Sequence, residues 1–292
     1  MFNRLALFAT VLFGITATLA CGPSNTDGNS ESGGGPAYVN VKGSDTMVHL
    51  TSLWSEAFAE AHPEIEVSVT GGGSGTGFAA LLNGTTDLSM ASRPIKEKEV
   101  TQAKANGIEP KEYVVARDGI ALIVNPDNPI DELSLEQLMK IFTGAVDNWK
   151  TLGGNDEGIV VLSRESSSGT YVFFQEHVLQ KKDYAVTALL MPATSSVVQN
   201  VSQDKASIGY VGLGYALEAG DRVKIVKVKT GPDAEPVAPA EDTVKSGAYP
   251  ISRPLHLYSD GTPTENVQVF LDFCLGPKGQ EIVREAGYVT AE

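Results

Sequence analysis

The sequence predicts an α/β protein built from parallel strands and flanking helices. Strand-like and helix-like stretches alternate from residue 38 onward. The strands end repeatedly in glycines and small hydroxyl residues, as open parallel sheets do beside a ligand. The chain has 292 residues, 42% of them hydrophobic and 20% charged, enough to bury one or two ordinary cores.

Taken in order, residues 38–41 read as a short strand. Met47, Leu50, Trp54, Phe58 and Ala61 recur at three- and four-residue steps, which marks an amphipathic helix that stops before His62-Pro63. Residues 65–70 (IEVSVT) alternate apolar and polar, the period of a strand. A glycine run follows at 71–77, then a helix through Phe78, Leu81 and Leu82 that ends at Asn83-Gly84. Residues 88–91 form another strand ending in Ser92-Arg93-Pro94. A second α/β unit is expected from about Gly119. It holds a buried strand at 120–125, a helix over 133–142 with Ser134 as its cap, a strand at 159–163, a helix at 171–179 and a strand at 208–211. Residues 229–248 read as an excursion or linker. A strand at 251–258 and one or two helices over 264–286, broken near Gly276-Pro277, complete the chain.

Residues 1–20 carry one charge, Arg4, then an apolar run and small residues, the pattern of an export signal. Cys21 follows Ala20 directly, as in the lipobox of bacterial lipoproteins, although the bulky Leu19 stands one place later than usual. The expectation is cleavage before Cys21 and lipid attachment there; the alternative is ordinary cleavage that leaves a plain thiol. Residues 22–36 (GPSNTDGNSESGGGP) would then be a flexible tether reaching about 20 Å. Cys274, in the apolar run VQVFLDFCL, is expected to be a buried core thiol. The net charge of −14 disfavours nucleic acid or an anionic membrane surface as partner.

Three strand-to-helix junctions carry the functional signal: Ser44-Asp45-Thr46, the run Gly71 to Gly77 containing Ser74, Gly75 and Thr76, and Ser166 to Thr170 containing Ser168 and Gly169. Arg93 and Arg164 close two further strands. Helix N-termini present unpaired N–H groups and a positive dipole end, glycines let the backbone approach, and guanidinium forks match a tetrahedral oxyanion. Each motif alone is ordinary, since serines cap helices and glycines make turns. Their shared place at strand ends suggests one anion held by converging loops. Micromolar binding needs a surplus of about 8 kcal/mol, and each charge-assisted hydrogen bond returns about 1.5–3 kcal/mol, so several must converge. Asp45 is the odd member. It either caps its helix or accepts a proton from the anion, which hydrogen phosphate has and sulfate lacks.

The ordered set GSDT, TGGGSGTG, TTDLSMASR and SRESSSGT resembles the phosphate-binding proteins of bacterial ABC transporters, the PstS family. IFTGAVDNW, IGYVGLGYA and YPISRPLHLY extend the likeness across the chain from about 38 to 289. The resemblance implies a two-lobed, type II periplasmic-binding-protein-like fold, each lobe a mostly parallel sheet flanked by helices, with the ligand in the cleft. The first lobe would hold 37–115 plus 250–292, and the second 116–249. Site positions carry over to Ser44 or Thr46, Ser74 and Gly75, Ser92 and Arg93, and Arg164, Ser168, Gly169 and Thr170. The best-known members have a proton-accepting aspartate where Arg93 stands; Asp45 would take over that role, with Glu165 the weaker candidate.

The implied function is capture of inorganic phosphate and delivery to a membrane permease, by an exported, lipid-anchored monomer that needs no cofactor and faces the periplasm or cell exterior. A binding protein or sensor for another oxyanion (sulfate, molybdate or arsenate) is the alternative. A serine-dependent phosphatase is disfavoured. His49, His62, His177 and His256 lack metal-ligand spacing, no Gly-x-Ser-x-Gly elbow occurs, and the glycine loop lacks the Gly-Lys of an NTPase.

Overall fold

The computed structural model describes residues 37–231 and 233–291; the leader at 1–20, Cys21 and the tether at 22–36 lie outside the described residues. The chain begins with β1 (Ala37–Gly43), α1 (Asp45–Ala61), β2 (Ile65–Thr70), α2 (Ser74–Leu82), β3 (Leu88–Ala91), α3 (Glu97–Ala105) and the long β4 (Pro110–Val124). Next come β5 (Glu132–Ser134), α4 (Leu135–Phe142), β6 (Val160–Arg164), α5 (Gly169–His177), β7 (Leu189–Met191), α6 (Thr194–Gln203), β8 (Ser207–Gly212), α7 (Leu213–Ala219) and β9 (Lys224–Lys229). The chain finishes with α8 (Glu241–Lys245), β10 (Ser252–Asp260), α9 (Glu265–Leu275), α10 (Pro277–Glu285) and β11 (Val289–Thr290).

The strands run β2-β1-β3-β10-β4-β8-β6-β7 across the sheet, with β9 and β11 also on β4 and β5 on β9. Pairing is parallel within β1, β2 and β3 and within β6, β7 and β8. It is antiparallel wherever β4 or β10 meets a neighbour. The parallel groups put the C-terminal ends of β1, β2 and β3 on one edge. The loops starting at Ser44, Gly71 and Ser92 therefore emerge side by side.

Two large hydrophobic cores flank the β4–β10 pair. One gathers Val39, Leu50, Trp54, Phe58, Met90, Leu255, Phe270 and Cys274. The other gathers Ile120, Leu122, Phe142, Trp149, Phe174, Tyr210, Val226 and Ile251. In the second half of β4, Ile120, Leu122 and Val124 enter that second core, while Ala121 and Ile123 enter a smaller cluster with Leu162 and Val197. A strand buried on both faces reads as a continuous apolar run, which is why 120–125 was legible in the sequence. Its first half, Pro110 to Gly119, pairs with β10 and is more polar, so no strand was expected there. Both tryptophan indoles donate to a carbonyl: Trp54 Nε1 to Gly279 O at 2.9 Å and Trp149 Nε1 to Ala206 O at 2.8 Å.

The stretch expected to be a linker, 229–248, contains α8 and sends a fully buried Val244 into the second core. The other added elements, α3, α6, α7, β5, β7, β9 and β11, are short. Ser134 caps α4 as expected, its hydroxyl accepting from Gln137 N at 3.1 Å. The break at Gly276-Pro277 separates α9 from α10, with Pro277 in the first turn, where its missing N–H costs nothing.

Cys274 is completely buried, and that burial pushes its thiol well above the ordinary cysteine value. The thiol is therefore protonated and shielded at neutral pH. We expect iodoacetamide to modify the Cys274 peptide only after denaturation, as read by mass spectrometry; labelling of the native protein at the same rate would contradict this packing.

Candidate functional site

The loop after β1 reaches the loop after β3 through Ser44. Ser44 stands at the N-cap of α1, yet its side chain does not cap the helix. Its Oγ donates instead to Ser92 Oγ at 2.8 Å. Ser74, at the start of α2, accepts from Ser92 N at 3.0 Å and lies 3.3 Å from Ser92 Oγ. Thr76 donates to Gly73 O at 2.7 Å and so braces its own loop.

The loop after β6 meets these residues from the other side. Ser168 caps α5, accepting from Tyr171 N at 3.3 Å. Thr170 Oγ1 lies 2.8 Å from Thr46 Oγ1, and Gly75 N donates to Ser167 O at 2.9 Å. Two glycines are required by this approach. Gly73 has φ +94°, and a Cβ there would lie 2.6 Å from Ser167 O. A Cβ on Gly169 would lie 2.3 Å from Ser74 Oγ and 2.7 Å from Ser92 Oγ.

Two residues that sequence reasoning did not single out complete the cluster. Arg253, on β10, donates to Thr170 Oγ1 at 2.9 Å, to Ser92 O at 2.8 Å and to Asp118 Oδ2 at 3.1 Å. Asp118, on β4, also accepts from Leu213 N at 3.0 Å. Ser44, Thr46, Ser74, Ser92, Ser168, Thr170, Asp118 and Arg253 are all at most 2% exposed. Burial pushes the Asp118 carboxyl above the usual carboxylate range, while the Arg253 charge and the Leu213 N–H pull the other way. Burial likewise lowers Arg253, and Asp118 counters it. The available signal was positional. Both residues lie in YPISRPLHLY and ARDGIALIV, the stretches that run side by side between the two cores.

The other charged candidates have different partners. Arg93 turns away from the hydroxyls and forms a two-pronged pair with Glu99, at 2.8 and 2.7 Å, while its guanidinium lies 4.8 Å from the Phe78 ring centre. Arg164 is held by Met191 O, Thr194 Oγ1 and Pro192 O at 3.1, 2.8 and 2.9 Å, and reaches Asp45 Oδ2 at 2.7 Å. Asp45 Oδ1 accepts from Gly72 N at 3.0 Å. Glu165 is exposed. Among the described residues no group of three or more His, Cys, Asp or Glu side chains is placed to hold a metal ion.

A lobed α/β scaffold with strand-end loops meeting in one buried polar cluster is the architecture of a solute-binding protein. Residues 30–278 match the PBP superfamily domain, and the chain belongs to that superfamily. Within it, the chain belongs to the PstS family. It is 35% identical to the phosphate-binding protein PstS of Staphylococcus saprophyticus over 99% of this chain and 90% of that protein. It is 34% identical to that of Staphylococcus aureus strain USA300 over 98% of this chain and 86% of that protein. Among solved structures, it is similar to one from Clostridium perfringens described as a phosphate ABC transporter substrate-binding protein with bound phosphate. That likeness has a TM-score of 0.79 and 33% identity, and covers 87% of this chain and 100% of that one. An ABC-type phosphate transport receptor from Vibrio cholerae gives a TM-score of 0.68 at 28% identity, over 86% of this chain and 99% of that one.

The Arg93–Glu99 pair is nearly buried, so it supports the loop after β3 more than an exposed pair would. Burial alone would raise the Glu99 carboxyl, but hydrogen bonds from Arg93 and Lys96 N outweigh it and hold the carboxyl below its usual 4.5. A carboxylate with a depressed folded-state value stabilises above the unfolded value and loses that contribution as pH falls through the folded one. Glu99→Gln should therefore cost about 3 kcal/mol at pH 7. Urea unfolding should show the gap to the parent closing below pH 4.5.

Proposed function

We propose that this chain binds inorganic phosphate between its two lobes and delivers it to an ABC-type importer. The observation that carries the reading is the convergence of hydroxyls from four strand ends, with Gly169 and Arg253, in one buried cluster. Hydroxyls are interchangeable as donors and acceptors. The contacts they now make with one another would be exchanged for contacts to a tetrahedral anion as the facing loops separate to admit it. About four to six such bonds, at about 1.5–3 kcal/mol each, are what is needed to offset dehydration of a small anion and leave useful affinity. The names of the relatives, phosphate-binding proteins and phosphate transport receptors, support the same ligand.

The lobes are assigned to 37–115 plus 250–292 and to 116–249, a division supported by the two separate cores on either side of the β4–β10 pair. Ligand contacts are assigned to Ser44, Thr46, Ser74, Ser92, Ser168, Gly169, Thr170 and Arg253. The chain acts as an exported carrier and breaks no bond. It works as a monomer, with lipid on Cys21 and residues 22–36 as the tether. Its second partner is the importer's membrane permease.

The proton acceptor is assigned to Asp118. Unlike Asp45, it is bonded to Arg253, whose same nitrogen also donates to Thr170 Oγ1 of the hydroxyl cluster. A buried carboxylate accepts from hydrogen phosphate and repels sulfate, which has no proton to give.

Titration calorimetry with phosphate, followed by competition with sulfate, molybdate and arsenate, tests the reading. Phosphate is expected to bind with micromolar or better affinity and to resist displacement by sulfate. Absence of heat at millimolar phosphate would overturn the function, and preferential displacement by another oxyanion would reassign the ligand. Asp118→Asn should reduce the phosphate-to-sulfate affinity ratio at least about tenfold; an unchanged ratio would remove Asp118 from that role.

A further inference from the structure

We infer that Asp45 is a latch between the lobes, a positioning residue that governs ligand release rather than ligand choice. The inference rests on the phosphate-binding reading above. Asp45 opens α1 in the first lobe, and its carboxylate takes two donors from different parts of the molecule. Oδ1 accepts from Gly72 N at 3.0 Å, which ties it to the glycine loop of its own lobe. Oδ2 accepts from Arg164 at 2.7 Å, which ties it to the end of β6 in the second lobe. None of its hydrogen bonds goes to the buried hydroxyls.

The arrangement is asymmetric in a way that suits a latch. Arg164 is already fixed within its own lobe by the Met191 and Pro192 carbonyls and the Thr194 hydroxyl. Asp45 is likewise fixed in its lobe by Gly72. Of the side-chain bonds these two residues make, only the one between them crosses from lobe to lobe, so opening would break that bond and leave both side chains seated. A second crossing contact grips the same residue: Tyr215, on α7, donates from its hydroxyl to Asp45 O at 2.9 Å. The Arg164 side chain is 3% exposed and that of Asp45 13%. The pair is therefore weakly screened yet sits at an edge that water can reach.

Gly71 shows that the carboxylate's position depends on local space. A Cβ at residue 71 would lie 2.5 Å from Asp45 Oδ1. Gly71 also lacks the positive φ that would strain any other residue, so Gly71→Ala would displace the carboxylate without altering charge.

A charge pair made only when the lobes are together stabilises the closed state and appears mainly in the dissociation rate. Stopped-flow measurements of phosphate binding and release on the full chain test this. Asp45→Asn should raise koff about tenfold or more, change kon by less than about twofold, and leave the phosphate-to-sulfate ratio unchanged. Gly71→Ala should move koff in the same direction by a smaller factor, and serves as the test if Asp45→Asn does not fold. Arg164→Gln added to Asp45→Asn should give little further change, because both remove one interaction. If the parent binds no phosphate, the functional reading itself fails. If the parent binds phosphate and koff is unchanged in the variants, or the phosphate-to-sulfate ratio collapses in Asp45→Asn, the latch alone is overturned.

Discussion

Arg253 and Asp118 face each other where β10 and β4 pass between the two cores, with the arginine side chain 1% exposed and the aspartate 0%. Removing two such charges from water costs several kcal/mol each, and their attraction repays that only if the remaining hydrogen-bonding groups are also satisfied. Here the Asp118 oxygens take Leu213 N and Arg253, and the two terminal nitrogens of Arg253 also take Ser92 O and Thr170 Oγ1, while its Nε is buried without a partner. The pair thus joins five pieces of chain: β4, β10, the loop after β3, the start of α5 and the start of α7. Such a pair adds little net stability compared with apolar residues of the same size. It places a polar fork where loops from different parts of the chain must meet.

All three arginines around the cluster are matched by a carboxylate: Arg93 by Glu99, Arg164 by Asp45 and Arg253 by Asp118. The chain as a whole carries −14. Neither the global field nor an excess of local positive charge is therefore available to attract an anion. Apart from the Arg253 fork, whose charge Asp118 balances, what remains are hydroxyls, backbone N–H groups and the N-terminal ends of α1, α2 and α5, all dipoles rather than charges. Dipoles carried on a scaffold need only small local turns to face an anion, because the helix ends and strand ends that bear them are set during folding. They also make binding depend on the number and direction of donors, so geometry takes the place of charge in recognition.

The sequence carried much of this and missed a definable part. The strands at 65–70 and 88–91 coincide with β2 and β3, because alternating or fully apolar runs have few other uses. Ser44, Ser74, Ser92, Gly169 and Thr170 stand at strand ends in the sequence, and the fold brings them together. The partners of the charged residues were harder to see. Arg253 and Asp118 are separated by 135 positions and pair only because β4 and β10 are neighbours. The partner of Arg93 is close in sequence but equally hard to see. Glu99 lies in the first turn of α3, where it also accepts from Lys96 N at 2.8 Å. That Lys-x-x-Glu spacing is half of a capping box and was a readable helix start, but the low apolar content of α3 hid the helix.

The glycines of the two facing loops explain why the loops themselves contribute neutral groups, while the one cation of the cluster, Arg253, comes from the sheet. With hydrogen alone at Gly73 and Gly169, the α2 and α5 ends approach until a single added carbon would clash, at 2.6 Å from Ser167 O and 2.3 Å from Ser74 Oγ. At that separation lysine or unpaired arginine side chains would not fit between the loops, whereas serine and threonine do. Short side chains also have few rotamers to lose, so ordering them costs little entropy. Close backbone approach and small hydroxyls therefore go together in the loops, and they leave Arg93 and Arg164 to organise the walls while Arg253 reaches the cluster from β10.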